Sequence, residues 1–185
     1  VKVTVTFDIA DTAKAFDNVV AIDTTPQGTL AKVAYSDADC TQAIAADAAV
    51  EKGETIYYKV ERTNTSTAAD LAAGTVTDTL GAGLTFVSAK ASDSETAPAY
   101  DSAARTVTWN AAKIAYNAAG NASSSMVVTC TVNASGSFST VSNAATDGNT
   151  TVVVTNEVPN VSVAKTLASA DLAGATAVYD IAGTN

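Results

Sequence analysis

Residues 124–133 read SSMVVTCTVN. Met126, Val128, Cys130 and Val132 fall on one face of an extended chain, and Val127, Thr129 and Thr131 fall on the other. Alternation of this length, in β-branched residue types, specifies a strand with one face turned to a core. Outward from this stretch, Gly, Asn and Asp recur as turn residues at short spacing, and the segments between them have the same habit. Strands are predicted over 1–10, 18–25, 29–35, 54–64, 73–79, 83–90, 104–110, 124–133, 137–146, 150–157, 160–167 and 175–183. The run TVVVT (151–155) is apolar on both faces, which predicts a central or interface strand. CTQAIAADAAVE (40–51) divides evenly between a short helix, which its alanines favour, and a loop with one helical turn. Short strands at this spacing predict an all-β antiparallel sandwich, with Tyr57, Tyr58, Phe86 and Trp109 packing its core and sheets.

Composition narrows the function. Hydrophobic residues make up 47% of the 185, but aromatics only 6%, so the core is thin and long hydrogen-bond ladders matter. A net charge of -9 argues against nucleic acid and anionic membrane surfaces, which recruit basic patches. No apolar run is long enough to span a bilayer, so no membrane insertion is expected. The chain opens directly on a strand, as a processed protein or a piece of a longer one would. There is no histidine, which removes imidazole bases, histidine triads and the commonest zinc ligand. With no clustered nucleophile or metal set either, the sequence reads as non-enzymatic, with no cofactor and no metal. Asp37-Ala38-Asp39 resembles the start of a calcium loop, but the third acid, the glycine and the closing glutamate are missing. It reads as a solvated acidic loop, and Glu51, Glu54 and Glu61 read as surface charges.

The chain also echoes itself. TIYYKVERTNTSTAADLAAGTVTDTL (55–80) has the shape of residues 3–25, with Phe7 in place of the tyrosines and Asp23-Thr24-Thr25 at the end. TAVYDIAGTN (176–185) repeats the first half of that pattern, and VSVAKTL (161–167) echoes TLAKVAY (29–35), each with one lysine. Repetition at domain scale marks modular surface proteins.

GETIYYKVERTN (53–64), VTDTLGAGLTFVSA (76–89), TVTWN (106–110) and VSNAAT (141–146) occur in order. Together they resemble the conserved-repeat domain of bacterial and archaeal surface proteins, often called domain of unknown function eleven. The resemblance covers roughly residues 29–158. It implies an immunoglobulin-like antiparallel β-sandwich, an extracellular or cell-surface location, and no catalytic activity. One departure is Gly81, where the family usually has proline; it implies a more flexible turn at 80–83. The domain reading is an N-terminal strand pair (1–28), an immunoglobulin-like repeat domain (29–158) and a C-terminal strand pair opening a further unit (159–185).

Three kinds of modification follow as expectations. In an oxidising compartment Cys40 and Cys130 are expected to pair, closing a loop worth about 4–5 kcal/mol in chain entropy; the alternative is one buried and one free thiol. Five sequons mark Asn64, Asn121, Asn133, Asn149 and Asn160 as candidate glycosylation sites. Related pilin and adhesin sandwiches carry lysine–asparagine isopeptide bonds formed beside a buried acid. Lys32, Asp78 and Asn143 are placed to supply the amine, acid and amide. The sequence favours the commoner role for Asp78 and Asn143, hydrogen bonding to turn backbone.

The function this implies is a structural subunit of an extracellular, pilus-like homopolymer, assembled head-to-tail by strand complementation. Val1, Val3, Val5, Phe7 and Ile9, with Val161, Val163, Leu167, Val178 and Ile181, are the strand-exchange candidates. The alternative is an adhesive or spacer module of a tandem-repeat surface protein, whose ligand the sequence does not single out.

Overall fold

The computed structural model describes residues 26–66, 68–92, 97–117, 122–160, 162–171 and 176–184. The strands predicted over 1–10 and 18–25 lie outside the described residues, as do Val1, Val3, Val5, Phe7, Ile9, Val161 and Asn121. Twelve strands are described: β1 (Gly28–Tyr35), β2 (Ala43–Ile44), β3 (Thr55–Asn64), β4 (Gly74–Leu80), β5 (Leu84–Ala91), β6 (Ala99–Asp101), β7 (Thr106–Ala111), β8 (Ala122–Val132), β9 (Thr140–Thr146), β10 (Thr151–Glu157), β11 (Ser162–Asp171) and β12 (Thr176–Thr184). The described residues contain no helix.

Two antiparallel five-stranded sheets, ordered β2-β1-β3-β8-β5 and β10-β9-β4-β7-β6, face each other as the expected sandwich. Alternation dictates what lies between them. β3 presents Ile56, Tyr58 and Val60 inward, and β8 presents Met126, Val128, Cys130 and Val132. From the other sheet come Val76 and Leu80 of β4, Val107 and Trp109 of β7, and Val141 and Ala145 of β9. Trp109 is the largest fully buried side chain, so much of this thin core depends on one indole. Phe86 and Tyr100 stack with centroids 4.0 Å apart, and so pack β5 of one sheet against β6 of the other. A bulge between Phe86 and Ser88 turns Val87 outward.

Several expectations are corrected here. TVVVT forms β10, which lies last in its sheet with β9 as its only strand neighbour there, its other side met near the C-terminal end by residues 47–50, and Val153 is 59% exposed. Segment 40–51 is not helical. Val50 is buried, Ala49 bridges Glu157, and the Asn156 amide donates to the carbonyls of Ala45 and Ala48. These tertiary bonds override alanine's helix propensity. The turn after β4 is braced rather than loose. Gly81 N–H donates to Ser142 O at 2.9 Å, and a Cβ on Gly81 would meet that oxygen at 2.4 Å. Arg105 adds bonds to the carbonyls of Leu80, Gly81 and Leu84. Proline at 81 would lose that N–H and collide with Ser142.

Among the described residues, β11 and β12 form a two-stranded sheet of their own, hydrogen-bonded to neither sheet of the sandwich. Val178, Tyr179 and Ile181 are exposed on it.

Candidate functional site

Three polar side chains interrupt the apolar inward face at one place. On β1, Lys32 falls between the buried residues Leu30 and Ala34 and so must point inward. On β4, Asp78 falls between Val76 and Leu80; on β9, Asn143 falls between Val141 and Ala145. Asp78 pairs with Ala145, and Leu80 pairs with Asn143, so the acid and the amide are diagonal neighbours on one sheet face. Lys32 reaches them from the opposite sheet. Its ammonium bonds Asp78 Oδ2, and both side chains are fully buried. The ammonium also lies 5.3 Å from the centroid of the Tyr58 ring.

The expectation that Asp78 and Asn143 serve turn backbone is overturned: both lie mid-strand and neither meets a backbone group. Asp78 Oδ1 and both polar atoms of Asn143 are buried without a hydrogen-bond partner. The Asn143 amide still lies near enough to Asp78 to draw its pKa down, without forming a well-directed bond. The other buried asparagines behave differently. Asn64 donates to the carbonyls of Ala69 and Ile114, and Asn156 to those of Ala45 and Ala48. Those two amides hold loops in place. Asn143 holds nothing, and an unsatisfied buried amide costs about 1–3 kcal/mol.

The electrostatics suit reaction. Desolvation lowers the Lys32 pKa, against the attraction of Asp78. Desolvation likewise raises that of Asp78, against the pull of Lys32 and Asn143. Both shifts favour the neutral pair, a free amine beside a protonated acid. A neutral amine is a nucleophile, and a protonated carboxyl can donate to the Asn143 carbonyl oxygen and polarise it.

The cysteines are not paired. Cys130 is buried beside the Lys32–Asp78 pair, where desolvation pushes its thiol up to about 12. Cys40 sits partly exposed in the β1–β2 turn with φ 54°. The expected disulfide gives way to a core thiol and a separate turn thiol. Among the sequons, Asn64 is buried with its amide engaged twice, which removes it as a glycan acceptor. Asn133 accepts a bond from Thr85, and Asn160 is tied to Phe138 O and Lys52. Asn149 stands exposed on the β9–β10 turn. The Asp37 carboxylate binds the backbone N–H groups of Gln42 and Thr41, and these bonds lower its pKa. It shapes the acidic loop in the manner of an Asx turn.

In the sequence, the pattern of related sandwiches singles out Lys32, Asp78 and Asn143, and face parity is the signal that turns them inward, because each stands two residues from inward apolar neighbours. No family model matches the chain, and no curated protein matches it. Among solved structures the chain is similar to BcpA, the major pilin subunit of Bacillus cereus, at 13% identity and a TM-score of 0.49. The match covers 82% of this chain and 45% of that one, so this chain spans less than half the length of that pilin.

Proposed function

We propose that this chain is a structural, non-enzymatic module of an extracellular surface polymer, and that its sandwich locks itself with an amide bond between Lys32 and Asn143. The carrying observation is the buried Lys32–Asp78–Asn143 group, in which the amide has no hydrogen-bonding role. The neutral Lys32 amine attacks Asn143 Cγ while the Asp78 carboxyl donates to the carbonyl oxygen. Asp78 then relays the amine proton to the departing nitrogen. The C–N bond of the carboxamide breaks, ammonia leaves, and a secondary amide joins β1 to β9. This event happens once per molecule and involves no turnover. Its product is a covalent tie between the two sheets.

Such a tie suits a module pulled end to end, because β1 and β9 can no longer separate. In single-molecule stretching, the chain between Lys32 and Asn143 is expected not to extend in the wild type and to extend fully in Asp78→Ala. Extension of that segment in the wild type would refute the locked module.

The polymer reading, head-to-tail strand complementation between copies on the cell surface, draws support from the β11–β12 hairpin, whose Ile181 is 70% exposed and open to pairing partners. The resemblance to the conserved-repeat surface domain supports the same setting. A second reading, a spacer in a tandem array, is favoured by the hairpin's likeness to β1 and β3. Purified 1–185 discriminates the two. Detergent-resistant polymers that vanish when 162–184 is deleted support complementation, whereas a stable monomer supports the array.

A further inference from the structure

The β11–β12 hairpin reproduces the strand pair that carries Lys32. In the sandwich, Lys32 pairs with Val60, and Tyr58 pairs with Ala34 two residues along β1. In the hairpin, Lys165 pairs with Ile181, and Tyr179 pairs with Leu167 two residues along β11. The register is the same, and so is the contact it creates. The Lys165 ammonium lies 3.9 Å from the Tyr179 ring centroid, as Lys32 lies 5.3 Å from that of Tyr58. The sequences match where the register requires it. TAVYDIAGTN sets Tyr179 and Ile181 at the places of Tyr58 and Val60 in TIYYKVERTN, and Ala164-Lys165 repeats Ala31-Lys32. One feature differs: the face that carries Lys165, Tyr179 and Ile181 is exposed, whereas the second sheet covers Lys32, Tyr58 and Val60.

We propose that Lys165 is the amine of a second cross-linking site, completed by a β-sheet that presents a carboxyl and an asparagine carboxamide as β4 and β9 do. This rests on the Lys32 reading and extends it to a bond beyond the sandwich. A covering sheet of that kind excludes water from Lys165 and brings an acid and an acyl donor to it, the two things the bare hairpin lacks. The Lys165 Nζ then forms a bond to the asparagine Cγ, the carboxamide C–N bond breaks, and ammonia carries away the displaced nitrogen. No oxidant or reductant is needed. An exposed lysine cannot react this way alone, so the bond forms only once the hairpin is covered.

The test is peptide mapping of the protein recovered in its native assembled state. Trypsin does not cleave after an acylated lysine. The proposal expects the Lys165 peptide in branched form, one ammonia lighter than its two arms combined, with an asparagine-derived acyl group. The sequence of the second arm then distinguishes a sheet from another copy of the chain from one supplied by a further stretch of the same polypeptide. A linear peptide cleaved at Lys165 overturns the proposal, as does a branch whose acyl donor is not asparagine. The Lys32–Asn143 branch is read in the same digest. Its presence beside a linear Lys165 peptide defeats the second site alone, and its absence defeats the reading beneath it. Lys165→Ala is expected to abolish the Lys165 branch, leaving the Lys32 branch and the melting of the sandwich unchanged.

Discussion

Lys32 and Lys165 occupy the same position in two strand pairs of the same register, each beside a tyrosine ring, yet their surroundings are opposite. Lys32 is enclosed by a second sheet that brings an acid and an unbonded amide; Lys165 faces solvent. On the proposed chemistry, the local sequence places a lysine beside a tyrosine ring, and the covering sheet supplies the burial that favours its neutral amine. Burial does this by disfavouring charge on both Lys32 and Asp78, so each partner is drawn toward the protonation state that amide formation uses. Among the described residues, the lysine-bearing face is covered in the sandwich and open in the hairpin.

The most damaging change to the sandwich should be Asp78→Ala. It removes the acid, strands Lys32 in the core and prevents the bond. On chain entropy a cross-link closing a loop of this length contributes about 4–5 kcal/mol, so thermal unfolding of the variant should come far below that of the wild type. Equal melting temperatures would mean that no bond is lost. Trp109→Ala should cost about 3–5 kcal/mol by opening a cavity in the thin core. By admitting water it should also slow cross-linking, which a time course of mass after refolding would show.

A smaller effect concerns pH. In Lys32→Met, Asp78 keeps the desolvation that raises its pKa and loses the cation that opposed it. A folded pKa above the unfolded value gives stability that is full below the unfolded pKa, here the ordinary value of 3.8, and is lost as pH rises. Lys32→Met should therefore melt below Lys32→Met/Asp78→Asn at pH 7, with the gap narrowing toward pH 4. A gap that widens on acidification would reverse the sign argued here. Smallest of all, Lys165→Ala should shift sandwich stability by less than about 0.5 kcal/mol in the isolated chain. An amine-acylating reagent should label Lys165 readily and leave Lys32 untouched in native 1–185.

The strands within 28–158 were largely legible because inward and outward residues alternate so strictly in β3, β7 and β9. Strand order was not, because pairing is nonlocal: three valines in a row look central, yet β10 lies last in its sheet. β2 and β6 are too short to leave a periodic signal, and the form of 40–51 is decided by Asn156 and Glu157, more than a hundred residues away in sequence. The three residues of the proposed cross-link are all legible in the sequence, which favours a turn-bonding role for Asp78 and Asn143. Composition near turns suggested that role; parity with Val76, Leu80, Val141 and Ala145 pointed inward and was the better guide. The cysteine pairing failed for a similar reason. Parity placed Cys130 in the core, and nothing local could bring the Cys40 turn to it.

Intact mass of the folded wild-type chain tests the central claim most directly. The account predicts a mass one ammonia below that of the sequence, with the full mass restored in Lys32→Ala and in Asp78→Ala. A wild-type mass equal to that of the sequence, in protein whose sandwich is folded, would contradict it.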